Sequence, residues 1–352
     1  GRDTVSYYHR PVAVEVYLSD VSKNIGAAKG DLYVDIEVID GSRHNDVLEG
    51  DDGANTFWGD DGDDLLRGGN NDDTLSGGNG NDRLEGGWGA DRLDGGAGWD
   101  TVSYWTAGSG VQVYLHDASR NTGEAYGDTF TGIEVVDGSA YADVLEGNNS
   151  ANEFWGDAGN DVLRGLGGDD TLSAGNGYDT ADYSQATARV VVDRTYQSRN
   201  QGEAFGDVLD SIEGVVGSSY NDEFYGSAGW DGFWAGGGDD RLEGRGGGDH
   251  LDGGAGFDHA VYWGSTAGVK ASLLDAGLNT GDAAGDVCAS IEGLEGSSYG
   301  GSLQGNGIGN ALYGYGGADV LRGSGGNDRL HAGGADDTIV GGQGSDWLIG
   351  GT

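Results

Sequence analysis

Residues 77–103 read GGNGNDRLE (77–85), GGWGADRLD (86–94) and GGAGWDTVS (95–103). The three nine-residue blocks share one layout. Glycine stands at the front and at position four, Asp at position six (Asp82, Asp91, Asp100), and an apolar residue at position eight (Leu84, Leu93, Val102). Counting back in nines reaches Gly68, Gly59, Gly50 and Gly41 without a slip, and adds Leu48, Phe57, Leu66 and Leu75 to the position-eight series. The same phase holds over 138–182, over 217–261 and from 296 to the end.

A glycine-rich stretch of six residues followed by x-apolar-x reads as a tight turn and a three-residue strand. In so short a strand only the middle side chain points inward. Two blocks then complete one coil, with one strand on each of two sheets, and the position-eight side chains fill a narrow interior. No block can bury its apolar residue alone, so coils must stack. The expected fold is all-β: a parallel β-roll, or β-solenoid, of 18-residue coils. If every residue coils in this way, the spacing of stacked strands predicts a rod on the order of 90 Å long.

Stacking also brings the position-six aspartates of block n and block n+2 to one edge. Carboxylates so placed repel one another unless a cation neutralises them. The turn glycines direct carbonyl oxygens to the same place, which makes an oxygen cage suited to Ca²⁺ and poor for zinc. The candidate ligands are Asp46, Asp64, Asp73, Asp82, Asp91 and Asp100; Asp143, Asp161, Asp170 and Asp179; Asp222, Asp231, Asp240, Asp249 and Asp258; and Asp319, Asp328, Asp337 and Asp346. Pairing each with the aspartate one coil on predicts about 11 Ca²⁺ per chain, rising to about 14 with pairs that begin at Asn55, Asn152 and Asn310. Asn offers a carbonyl without charge, and Gly301 offers no side chain, so those rungs are expected to be weak.

A longer repeat overlies the short one. Asp3, Asp100, Asp179 and Asp258 open equivalent segments, each with a Tyr four residues on (Tyr7, Tyr104, Tyr183, Tyr262). A Gly-Asp ends a shared string at Asp31, Asp128, Asp207 and Asp286; Ile-Glu follows, and then Gly-Ser at Gly41, Gly138, Gly217 and Gly296. The step from Asp3 to Asp100 exceeds the equal steps from Asp100 to Asp179 and from Asp179 to Asp258 by two nonapeptides, which is one coil. This predicts four units: 1–99 (irregular coils 4–40, blocks 41–99), 100–178, 179–257 and 258–352. The segments between block arrays, such as 104–137, are expected to be two irregular coils continuing the roll, with separate hairpins the alternative. Module three departs from the others: Arg194 stands where Leu18, Leu115 and Leu273 stand. The first and last residues both read as broken repeats, which predicts a longer parent protein.

Composition agrees with a cation-dependent fold. The chain has 75 Gly, 1 Pro and a formal net charge of −42. Ordering each backbone residue costs roughly 1–2 kcal/mol, and glycine loses the most freedom. Such a chain is expected to stay unfolded until divalent cations neutralise its acids. The same charge repels nucleic acid and anionic membrane surfaces. No apolar run is long enough to span a membrane, and Cys288 is alone, so no internal disulfide forms.

The blocks GGNGNDRLE, GGWGADRLD and GGQGSDWLI (341–349) resemble the haemolysin-type (RTX) calcium-binding nonapeptide. The longer modules resemble those of large multi-unit bacterial secreted or surface members. The resemblance implies a parallel β-roll with Ca²⁺ in the turns and export by a type I secretion system from a Gram-negative bacterium. The expected location is therefore extracellular or at the cell surface.

Six scattered histidines form no zinc motif, and no GxSxG or P-loop occurs; the chain is not expected to be an enzyme. Trp58, Trp155, Trp234 and Tyr313 stand at the same offset from their module's opening Asp, at an outward position. They would serve either as an interface, to another copy or to a polysaccharide or cell surface, or as packing beneath the irregular coils. The leading functional expectation is a Ca²⁺-stiffened structural or adhesive protein of a surface layer, fibre or adhesin. The alternative is a non-catalytic module of a secreted protease, lipase or alginate-modifying enzyme.

Overall fold

Strands recur every nine positions in the block arrays because each x-apolar-x run follows a glycine turn; many are the expected three residues, but those over 56–97 and 320–351 run on through the following glycines to five or six. In the computed structural model, which describes residues 1–352, these strands stack in parallel sheets, and no α-helix is present. The chain divides into two units: Gly1–Asp179 with Asp210–Ile212, and Thr180–Leu209 with Glu213–Thr352.

In the first unit, one sheet runs Thr4–Ser6, Val38–Asp40, Thr56–Asp61, Thr74–Asn79, Arg92–Ala97, Thr129–Thr131. The facing sheet takes the alternate strands, from Val14–Tyr17 and Val47–Glu49 through Leu65–Asn70, Arg83–Trp88, Thr101–Ser103 and Val135–Asp137. The register is one full coil of two blocks: Leu48 lies beside Leu66, Leu66 beside Leu84, Phe57 beside Leu75 and Leu75 beside Leu93. All of these position-eight side chains are fully buried. Each such burial contributes about 1.5–3 kcal/mol. The second unit repeats the pattern, with Phe224 beside Leu242, Phe233 beside Leu251 and Leu312 beside Leu330.

Turn glycines are required by contact as well as by dihedral. Gly78 and Gly80 occupy positions two and four with φ of +117° and +137°. A Cβ on Gly80 would overlap the Gly62 carbonyl oxygen of the coil below. Coils could not stack at strand spacing with a side chain there.

The irregular segments differ from the two-coil expectation. Residues 104–137 supply three strands, not four: Gln112–Tyr114, Thr129–Thr131 and Val135–Asp137. Val135–Asp137 continues one sheet above Thr101–Ser103, and Thr129–Thr131 closes the other above Arg92–Asp94. Gln112–Tyr114 stands at the end of a new sheet and pairs upward with Val144–Glu146. The reason is local. Two 3₁₀ turns, Ala118–Arg120 and Gly123–Ala125, take the place of a strand. Asn121 pins them by accepting from the Tyr114 N–H (2.8 Å) and donating to the Asp128 carbonyl (3.0 Å). In the second unit, Val191–Asp193 and Lys270–Ser272 start sheets in the same way.

Candidate metal centre

The position-six aspartates form ladders along the stack. The Asp64 N–H donates to Asp82 Oδ1 and the Asp82 N–H to Asp100 Oδ1, both at 2.8 Å. The same bond joins Asp73 to Asp91 (2.7 Å), and Asp143 to Asp161, Asn152 to Asp170 and Asp161 to Asp179 (2.8 Å each). In the second unit it joins Asp222 to Asp240 (2.6 Å), Asp240 to Asp258 (2.8 Å), Asp319 to Asp337 (2.9 Å) and Asp328 to Asp346 (3.1 Å). One oxygen of each accepting carboxylate is thus committed to the backbone of the coil before it.

The other oxygen has no such partner at many rungs. Oδ2 of Asp64, Asp73, Asp82, Asp91, Asp100, Asp161, Asp240, Asp249, Asp258, Asp319 and Asp328 is buried without a hydrogen bond. Except at Asp240, whose block opens with Ala235, it lies against the position-one glycine of its own block. A Cβ on Gly59 would overlap Asp64 Oδ2 and lie 2.6 Å from the Gly77 carbonyl oxygen. A Cβ on Gly323 would overlap Asp328 Oδ2 and lie 2.5 Å from the Gly341 carbonyl oxygen. A carboxylate oxygen and a carbonyl from the next coil therefore converge on one small cradle. Burial pushes these acids well above the ordinary carboxylate range: Asp64, Asp73, Asp161 and Asp240 up to about 7, Asp82 and Asp91 to about 6, and Asp249 to about 8. A buried acid so raised lacks countercharge, and either a proton or a cation would supply it.

No three His, Cys, Asp or Glu side chains gather in one cluster. A metal held here takes single carboxylate oxygens and backbone carbonyls, a donor set that suits a hard cation such as Ca²⁺ and not zinc. The RTX calcium-binding nonapeptide repeat profile (four copies) matches residues 40–75, 67–102, 128–163, 147–181, 215–242, 233–260 and 312–351, more than half of the chain. The chain belongs to the RTX calcium-binding repeat family. It is accordingly a calcium-binding repeat protein, of a family typically secreted by Gram-negative bacteria. No curated protein matches it. No helix is long and apolar enough to cross a membrane.

Within this RTX chain, the structure separates aspartates that the sequence presents as equal. Asp46, Asp143 and Asp222 open their block arrays, and both of their oxygens are occupied. Asp143 accepts from the Ser139 N–H (2.6 Å), the Ser139 hydroxyl (2.8 Å) and the Val111 N–H (2.7 Å). Ser42 with Val14, and Ser218 with Val190, do the same for Asp46 and Asp222. The serine of the first three Gly-Ser pairs is thus a clamp on the aspartate four residues later; in the fourth, Ser297, that position is Gly301. Asp231 also has both oxygens engaged, by Ser227 and Arg194. Asp337 and Asp346 lie half-exposed at the last coils.

Two further sets of acids enter the ladders without matching position six. The Asp91 N–H donates to Asp128 Oδ1 (2.9 Å), and the Tyr104 hydroxyl closes Asp128 Oδ2 (2.6 Å). Asp249, Asp286 and Tyr262 repeat this at 3.1 and 3.0 Å. Glu134 and Glu292 accept from the Asp100 and Asp258 N–H groups, each at 3.0 Å. The recurring Tyr, Gly-Asp and Ile-Glu signals were visible in sequence; their place in the ladder depends on a long fold-back that spacing does not disclose.

Of the aromatic stripe, Trp58 and Trp155 are exposed (42% and 41%), while Trp234 and Tyr313 are half-buried. Trp234 packs on His250, with ring centroids 5.4 Å apart, and Tyr313 lies near His259 and Tyr315. The stripe therefore divides between a solvent-facing pair and a packed pair.

Proposed function

We propose that the chain is a Ca²⁺-stiffened structural or adhesive segment of an extracellular protein, acting as scaffold and not as catalyst. The observation that carries this reading is the repeated cradle: buried Asp Oδ2 atoms without hydrogen-bond partners, set against a position-one glycine and, at Gly59, Gly68, Gly156, Gly314 and Gly323, also against a carbonyl of the next coil. Asp64, Asp73, Asp82, Asp91, Asp100, Asp161, Asp240, Asp249, Asp258, Asp319 and Asp328 would hold the ions. Ca²⁺ supplies the positive charge that lets these acids stay ionised while buried, and it ties each turn to the next. The chain's own residues supply the rest: the Oδ1 bond fixes each carboxylate, and glycine keeps the cradle open.

Exposed Trp58, Trp88, Trp105 and Trp155 favour the adhesive role. Indole faces stack on sugar rings and on one another. The partners this reading assigns are a polysaccharide or cell surface, or a second copy. Circular dichroism with native mass spectrometry tests the core of it. In millimolar Ca²⁺ the chain shows a β spectrum with about 11 ions bound, and in chelator it is disordered. A full β spectrum in chelator with no ions bound in Ca²⁺ would remove the proposal.

A further inference from the structure

One rung of the block array is Asn55, Asn152 and Asn310 in modules one, two and four, but Asp231 at the same offset in module three. An earlier position is Leu18, Leu115 and Leu273 in those same modules, but Arg194 in module three. Leu travels with Asn, and Arg with Asp. The structure shows why. Arg194 reaches Asp231, its Nη1 donating to Oδ1. Both side chains are largely or wholly shielded, Asp231 at 0% and Arg194 at 14% exposure. The Ser227 N–H (2.7 Å) and hydroxyl (3.1 Å) hold Asp231 Oδ2.

The Arg194 guanidinium also takes over a contact that the asparagines of modules two and four make. Asn152 Nδ2 donates to the Glu134 carbonyl (3.4 Å) and Asn310 Nδ2 to the Glu292 carbonyl (3.2 Å). Glu134 and Glu292 belong to the Ile-Glu pairs of their modules, and the equivalent in module three is Glu213. Arg194 Nη1 donates to the Glu213 carbonyl at 3.4 Å. Where the other modules place a neutral amide, module three places an acid and a fixed cation.

We infer that Arg194 is a resident cation which takes the place of Ca²⁺ at Asp231, so that this rung, despite its motif Asp, binds no metal. The inference rests on the calcium reading above and narrows it. A guanidinium is always charged and desolvates more readily than an ammonium, which suits it to a shielded carboxylate. Both oxygens of Asp231 are engaged and its charge is met by the guanidinium, unlike Asp240 and Asp249, whose Oδ2 atoms have none of these partners.

Counting bound Ca²⁺ by native mass spectrometry on the whole chain tests it, with the metal alone as probe. Asp231→Asn is expected to bind as many ions as wild type, while Asp240→Asn binds one fewer. Arg194→Leu, which frees Oδ1 of Asp231 and removes its countercharge, is expected to gain one ion, and Arg194→Leu with Asp231→Asn, the arrangement of the other modules, to return to the wild-type number. Loss of an ion in Asp231→Asn overturns the inference, as does an unchanged count in a folded Arg194→Leu chain. Should Arg194→Leu not fold, Asp231→Asn decides alone. A wild-type chain that binds no Ca²⁺ would overturn the calcium reading and this inference together, whereas the variant outcomes strike the inference only.

Discussion

Asp82 and Asp46 occupy the same block position and differ in what their second oxygen meets. Oδ2 of Asp82 faces the cradle of Gly77, whereas Asp46 is bound by Ser42 and by the Val14 N–H. Asp82→Ala is therefore expected to lower the Ca²⁺ count by one in native mass spectrometry. Asp46→Ala should leave the count unchanged and lower stability by about 1–3 kcal/mol, because its buried donors lose their acceptor; denaturant titration in saturating Ca²⁺ measures this. Equal ion loss in the two variants would show that the clamp does not exempt Asp46. The nine-residue phase made all these aspartates legible in the sequence. Which oxygens are left over was not, since that depends on Ser42 curling onto its own turn and on Arg194 crossing from a different segment.

At the level of elements, strand pairing at every second block follows from the period alone, because a slip of one residue would turn every buried Leu outward. The modules were harder to read. Segments such as 104–137 are the right length for two coils, yet Asn121 and the Tyr104–Asp128 bond fold this one into three strands and two 3₁₀ turns. A hydroxyl closing a buried carboxylate far along the chain leaves no periodic trace. Its contribution can be measured. Tyr104→Phe keeps the ring and strands Asp128 Oδ2, both groups being fully buried. The expected cost is about 1–3 kcal/mol in Ca²⁺. A change below about 0.5 kcal/mol, the scale of ordinary surface substitutions, would mean that water or a cation replaces the hydroxyl without loss.

For the whole molecule, the net charge of −42 and the buried acids point to one proton-linked behaviour. In the metal-free fold, burial raises Asp82 and Asp91 to about 6, Asp64, Asp73, Asp161 and Asp240 to about 7, and Asp249 to about 8. In the unfolded chain these groups titrate near 3.9. Between those values the folded state binds more protons than the unfolded one, so stability without metal falls as pH rises from about 4 towards 8. Protons and Ca²⁺ thus answer the same deficit of positive charge, and they compete for it. Acid should partly restore the fold in chelator while weakening Ca²⁺ binding. Far-UV circular dichroism in excess chelator is expected to show more strand at pH 5.5 than at pH 7.5, values chosen to stay above the isoelectric point of about 4.1. Calcium titrations at the same two pH values should give the weaker midpoint at pH 5.5. A metal-free chain with more strand at pH 7.5 would show that the buried carboxylates do not limit folding, and that the glycine-rich turns fail for entropic reasons whatever the charge.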